Sequence, residues 1–135
     1  LPKMKLVNAA EYGVLREGLL SKLGHIALPM DALLYQAGCC RIDGGGMYLV
    51  GAPAGPAALC AEGTGDKNLL LKEPSGSPEA VDQIAAVLPQ LLPKFGGTYR
   101  TLGDSVPFGM MKWLSPELDA AWDRDIRAYL GLAFD

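Results

Sequence analysis

Glycine and proline punctuate this chain so often that no long element fits between them. Gly (17) and Pro (10) make up a fifth of the 135 residues, against a usual share of about 12%. They separate apolar runs instead of collecting in one tract, so the sequence reads as many short helices and strands joined by turns. Half the residues are apolar and a fifth are charged, which is ordinary globular usage. A chain of this length suits one domain and buries roughly two-thirds of its unfolded surface. A single domain over residues 1–135 is the expectation. Disordered and fibrous classes are excluded.

Twelve basic and fifteen acidic side chains leave a net charge of −3. A broad nucleic-acid surface needs a basic stripe, so no nucleic-acid partner is expected. No stretch approaches the roughly eighteen apolar residues of a membrane span, and no membrane association is expected. The opening Leu1-Pro2-Lys3-Met4-Lys5-Leu6-Val7 lacks the apolar run of a signal peptide. It also lacks an initiating Met, which suggests a domain cut from a longer chain. Cys39 and Cys40 are adjacent, Cys60 stands apart, and there is no C-x-x-C and one histidine, His25. No metal site is expected from that set. The cysteines read as reduced thiols in a cytoplasmic core.

Lys3–Val7 reads as a first strand. Asn8-Ala9-Ala10-Glu11 has the form of a capping box, and Tyr12, Leu15, Leu19 and Leu23 follow on one helical face that stops at Gly24. A shorter helix capped by Asp31 runs to Ala37, with Gly38 as its end. Cys39–Ile42 is expected as a strand that turns at Asp43-Gly44-Gly45-Gly46 into Met47–Val50. Turns at 52–56 and 63–66 lead into 57–62 and 68–73, completing an antiparallel meander. Pro74 stops its last strand.

Ser77, Pro78 and Glu79 then supply the cap, the first residue and the dipole complement of a helix. Its apolar stripe is Val81, Ile84, Val87, Leu88, Leu91 and Leu92, and Pro89 should kink or shorten it. A strand at 98–102, a loop at 103–105 and a strand from Phe108 to Leu114 follow. Ser115-Pro116-Glu117 starts a helix to about Ala128, with Asp123 and Arg127 as an exposed pair. Tyr129–Phe134 closes the chain as a strand. Helices that interrupt one mixed sheet cover its faces, so the expected fold is α+β, mainly antiparallel, with helices on both faces.

This order of elements resembles the GNAT superfamily of acyl-CoA-dependent N-acetyltransferases over most of the chain. Pro107-Phe108-Gly109-Met110-Met111-Lys112-Trp113-Leu114 and Tyr129-Leu130-Gly131-Leu132-Ala133-Phe134-Asp135 are similar to the tail of bacterial GNAT-like proteins. The resemblance implies a strand at Asn68–Glu73 that splays from its neighbour, with the pantetheine arm of acetyl-CoA pairing in the gap. It implies that the pyrophosphate rests on free amides at the next helix N-terminus, over Ser75–Glu79. Leu71, Lys72, Ser75, Gly76 and Ser77 are then the cofactor-binding residues. At this place the superfamily carries Arg or Gln, two residues, Gly, one residue, then Gly or Ala. This chain has Glu73-Pro74-Ser75-Gly76-Ser77-Pro78-Glu79, where two prolines lack amides and two glutamates repel phosphate.

Catalysis in the superfamily uses a base for the amine and in some members a Tyr that protonates the leaving thiolate. Glu73 is the candidate base, with Glu62 next. Tyr129 is the candidate acid, with Tyr99 beside it. Each has an ordinary alternative: strand-end carboxylates in water, and tyrosines packed on the sheet. A Ser nucleophile has only His25 to draw on, and Gly44-Gly45-Gly46 lacks the Lys-Ser/Thr of a phosphate-binding loop. Two functions are therefore carried forward. One is acyl transfer from acetyl-CoA to a small-molecule amine. The other is a non-catalytic GNAT-like module that packs against a second domain of a larger protein or forms a homodimer.

Overall fold

The structure, a computed structural model, describes residues 2–42, 44–64, 68–92, 96–99, 114–126 and 128–129. The elements are β1 (Lys3–Val7), α1 (Ala9–Leu19), β2 (Gly24–His25), α2 (Met30–Ile42), β3 (Gly46–Ala52) and β4 (Gly55–Gly63). They continue as β5 (Asn68–Ser75), α3 (Pro78–Leu91), β6 (Gly96–Tyr99), α4 (Pro116–Ala121) and β7 (Ala128–Tyr129). Five strands form one sheet in the order β1-β3-β4-β5-β6, while β2 and β7 make a separate pair. The first four strands of the sheet run antiparallel to their neighbours, and β5 and β6 are parallel.

Alternation along β4 decides where the helices lie. Successive strand side chains point to opposite faces. Ala58 and Cys60 join Val7, Tyr12, Leu33, Cys40 and Met47 under α1 and α2. Ala57, Leu59 and Ala61 join Val50, Leu69, Leu71, Ala80 and Ile84 under α3. Helices cover both faces, and the fold is α+β and mainly antiparallel, as the sequence implies.

Several local expectations hold. Asn8 accepts from the Glu11 amide at 2.8 Å, and Glu11 accepts from the Asn8 amide at 3.1 Å. Ser77 caps α3, with Pro78 as its first residue. Others need correction. α1 ends at Leu19 rather than reaching Gly24, which opens β2. α2 runs through Gly38 to Ile42, so Cys39–Ile42 is helix and not strand, and the glycines after it connect a helix to β3. Cys40 is fully buried and Leu33 nearly so, and that burial overrides the weak stop signal of one glycine. The expected kink or shortening at Pro89 amounts to two further residues, since α3 ends at Leu91. β6 starts two residues earlier than expected, and α4 ends at Ala121.

Pro74 does not stop β5, which continues to Ser75. It lies where the register shifts, between the pairs Cys60↔Lys72 and Ala58↔Ser75. Two residues of β5, Glu73 and Pro74, therefore stand opposite the single Leu59. A bulge leaves a residue outside the ladder, so a residue without an amide is tolerated there. The expected loop at 103–105, Arg127 of the expected Asp123–Arg127 pair, the closing strand beyond Tyr129 and the expected strand at 108–114 lie outside the described residues, except Leu114, which sits exposed in a bend. No described helix is long and apolar enough to cross a membrane.

Gly45 sits between the backbone of β4 at Ala61 and the last turn of α2 at Cys40. A Cβ there would overlap the carbonyl oxygens of Ala61 and Cys40, both backbone atoms that cannot swing aside. Gly45→Ala is expected to cost about 3 kcal/mol, measured as the change in urea-unfolding free energy. A loss below about 1 kcal/mol contradicts this packing.

Candidate functional site

The bulge turns β5 inside out for one residue. Glu73 has φ 49°, the one positive φ outside glycine among the described residues. In a regular strand Lys72 and Glu73 would point to opposite faces. Here both side chains serve the α1/α2 face. Lys72 Nζ meets Glu62 Oε2 at 2.8 Å, and Glu62 Oε2 also accepts from Gln36 of α2. Glu73 reaches α1, where Arg16 Nε donates to its Oε1 at 2.9 Å and the Tyr12 hydroxyl donates to its Oε2 at 3.0 Å.

This pair is buried. The side chains of Arg16 and Glu73 are 1% and 0% exposed. Arg16 Nη1 donates to the Ile26 carbonyl at 2.9 Å and to Glu17 Oε1 at 3.1 Å. Its Nη2 is buried without a partner among the described residues. Burial pushes the Glu73 carboxyl up from 4.5, against the opposing pull of Arg16, the Tyr12 hydroxyl and His25. A raised carboxyl lowers stability as pH climbs from its unfolded value through its folded one.

The network continues outward to His25. Its Nδ1 lies 2.9 Å from the Leu23 carbonyl and its Nε2 lies 2.9 Å from Glu17 Oε2. Both neighbours are acceptors only, so both ring nitrogens donate and the ring favours its charged form. The Leu23 carbonyl and then Glu17 raise the His25 pKa above 6.5, while His25 first and Arg16 after it lower Glu17 below 4.5. Histidine's share of stability is complete below pH 6.5 and lost as pH rises through its raised pKa. Glutamate's share is complete above 4.5 and lost as pH falls through its lowered one.

The residues singled out from the sequence occupy distinct places. Leu71 is buried toward α3 in the apolar core. Ser75 is buried, with its hydroxyl donating to the Glu73 carbonyl at 3.1 Å. Gly76 has φ 153°, and a Cβ on it would come within 2.9 Å of Ala57 Cβ. Its openness thus serves the approach of this chain's own β4. Ser77 Oγ accepts from the Ala80 amide at 3.2 Å, and the Val81 amide bonds the Ser77 carbonyl. Pro78 has no amide, so Glu79 keeps the one unpartnered amide of that turn among the described residues. Tyr129 lies on β7, opposite His25 in register. Tyr99 lies opposite Leu71, and β6 pairs with β5 from Asn68 to Leu71, so the first four residues of the strand expected to splay at Asn68–Glu73 are paired; what lies beyond Tyr99 is outside the described residues.

One ordinary reading is overturned: Glu73 is not a strand-end carboxylate in water, whereas Glu62, next to the end of β4, keeps part of its side chain exposed while pairing with Lys72. The view that Glu73 repels an incoming phosphate also fails, because its carboxylate turns toward α1 and meets Arg16. The sequence reading missed Arg16. Its signal was present: a charge at four residues from Tyr12, in the middle of the α1 face that meets the sheet. Among the described residues no cluster of His, Cys, Asp or Glu has a metal-binding arrangement. Cys40 and Cys60 are buried thiols, and neither nitrogen of His25 faces them. No protein-family model, curated protein or solved structure matches the chain.

Two measurements check this site. Glu73→Gln strands a buried guanidinium and is expected to cost about 3–5 kcal/mol of stability, whereas Arg16→Met with Glu73→Gln regains most of the loss. A double variant no more stable than Glu73→Gln contradicts the pairing. By NMR titration His25 should titrate above 6.5, and Glu17→Gln should lower its midpoint without cancelling the Leu23 contribution. A wild-type midpoint at or below 6.5 contradicts the geometry.

Proposed function

We propose that the chain is a GNAT-type acyltransferase domain that binds acyl-CoA along β5 and passes the acyl group to a small amine. The observation that carries this reading is the irregularity of β5. The bulge at Glu73 falls near the end of the one strand that, among the described residues, has an antiparallel partner on one side and a parallel partner on the other. A helix N-terminus follows directly. A bulge frees backbone amides and carbonyls from the ladder, which suits the pairing of an extended amide-bearing arm.

In the transfer, the amine nitrogen attacks the thioester carbonyl, the C–S bond breaks, the thiolate leaves, and the amine gives up a proton. Holding the two reactants together supplies most of the acceleration in this reading. Glu73 and Tyr129 remain the proposed base and acid. Both Glu73 oxygens accept hydrogen bonds in this structure, so its action as a base requires the Tyr12 contact to open. Lys72 would offer backbone to the arm, whereas Leu71 lies between Ala61 of β4 and Tyr99 of β6 and would do so only if β6 moved away; Ser75, Gly76 and Ser77 would meet the phosphates.

A second reading, a non-catalytic GNAT-like module, is favoured by one specific observation. Ser77 and Pro78 leave a single unpartnered amide in the first turn of α3 among the described residues, where an anion needs several. Acetyl-CoA separates the two readings. At a hundred times its Kd it should stabilise the chain by about 2.7 kcal/mol, seen as a rise in melting temperature. No shift at millimolar acetyl-CoA overturns the enzyme reading, and a shift with no acyl transfer to a panel of amines leaves only the module.

A further inference from the structure

We propose that the outer face of α2 is a self-association surface, on which a second copy of this chain docks antiparallel about a two-fold axis. The inference rests on α2 alone and is independent of the acyltransferase reading.

The helix faces the core with Leu33, Gln36 and Cys40, yet its opposite side is also apolar. Met30 is 48% exposed, Leu34 55%, Tyr35 73% and Ile42 78%. A surface helix ordinarily turns a polar face outward, and one that is apolar all round is ordinarily covered. Met30, Leu34, Gly38 and Ile42 follow at intervals of four, which places them along one side. Gly38 is the odd member. A Cβ on it would meet nothing within 4 Å among the described residues, so nothing described in its own chain calls for a glycine in mid-helix. An external neighbour does, because the gap accepts a side chain from outside.

Two charges make the face self-complementary. Asp31 stands in the first turn and Arg41 in the last, about 15 Å apart along the axis. Asp31 bonds the Ala32 amide and Arg41 Nε bonds the Ala37 carbonyl, and neither joins an ion pair among the described residues. Turn a second copy antiparallel about an axis level with Gln36. Asp31 then faces Arg41 of the partner subunit, Met30 faces Ile42 of the partner subunit, and Leu34 lies over Gly38 of the partner subunit. Each contact occurs twice, as two-fold symmetry requires. Leu34 and Arg41 also line a groove of about 370 Å³ that runs between α2 and Leu6 and Met47 of the sheet. Leu6 is 61% exposed there, so the apolar surface extends beyond the helix toward the area a stable interface needs.

Sedimentation of the chain tests this. The wild-type chain is expected to dimerise at micromolar concentration. Asp31→Arg and Arg41→Asp should each be monomeric alone, because each sets like charges opposite one another. Mixed in equal amounts they should form a heterodimer, since each then meets its opposite. Mixing alters neither chain, so repaired folding cannot explain recovery. Gly38→Gln should weaken association by at least about tenfold while leaving the monomer as stable or more so, because glycine is the poorer helix former. A wild-type chain that stays monomeric, single variants that still dimerise, a mixture that stays monomeric, or an unaffected Gly38→Gln would each overturn the proposal.

Discussion

The contact between Arg16 and Glu73 joins the first helix to the bulge in β5, and the rest of the site is arranged around it. Taking two charges out of water costs several kcal/mol for each ion, and an interior pair regains this only with good geometry and further hydrogen bonds. Those bonds are supplied here by the Tyr12 hydroxyl on Glu73, and by the Ile26 carbonyl and Glu17 on Arg16. Glu73 adds its own cost through a positive φ, a conformation that a non-glycine side chain holds only when its surroundings enforce it. The pair is thus a positioning device rather than a source of net stability. It fixes where α1 crosses the sheet and which face the Glu73 side chain serves.

That placement divides the molecule into two unlike halves. The α3 face is apolar, with Val50, Leu59, Leu69, Leu71, Ala80 and Ile84 at its centre. The α1/α2 face carries polar and charged groups inside its apolar shell: Lys72 with Glu62, Gln36 beside them, and the chain from Tyr12 through Glu73, Arg16 and Glu17 to His25. A polar network on one side of a strand, with dry packing on the other, holds the backbone of residues 72–76 in one conformation.

Much of the architecture was legible in the residues. The capping box at Asn8 and the Ser77-Pro78 start of α3 rest on local hydrogen-bond chemistry, which needs no tertiary context. The turn at 52–56 and the antiparallel strands on either side followed from residue type as well. What failed depended on contacts distant in sequence. Gly38 looked like a helix end, yet Cys40 and Leu33 are buried against the sheet and carry α2 onward. Pro74 looked like a strand end, yet the bulge gave a residue without an amide a place to sit. At the site, Glu73 was found from the strand's position, but its environment was not. Its partners lie 57 and 61 residues away, and a charge within an apolar stripe was the only local sign of Arg16.

The central claim is that Arg16 is locked inside the fold against Glu73, and hydrogen exchange at its side chain tests this most directly. The Arg16 Nε proton, followed by NMR in the native protein, is expected to exchange only through opening of α1 from the sheet, with protection close to that of the core amides of β4. An Nε proton that exchanges as fast as that of an arginine in open solvent would contradict the account.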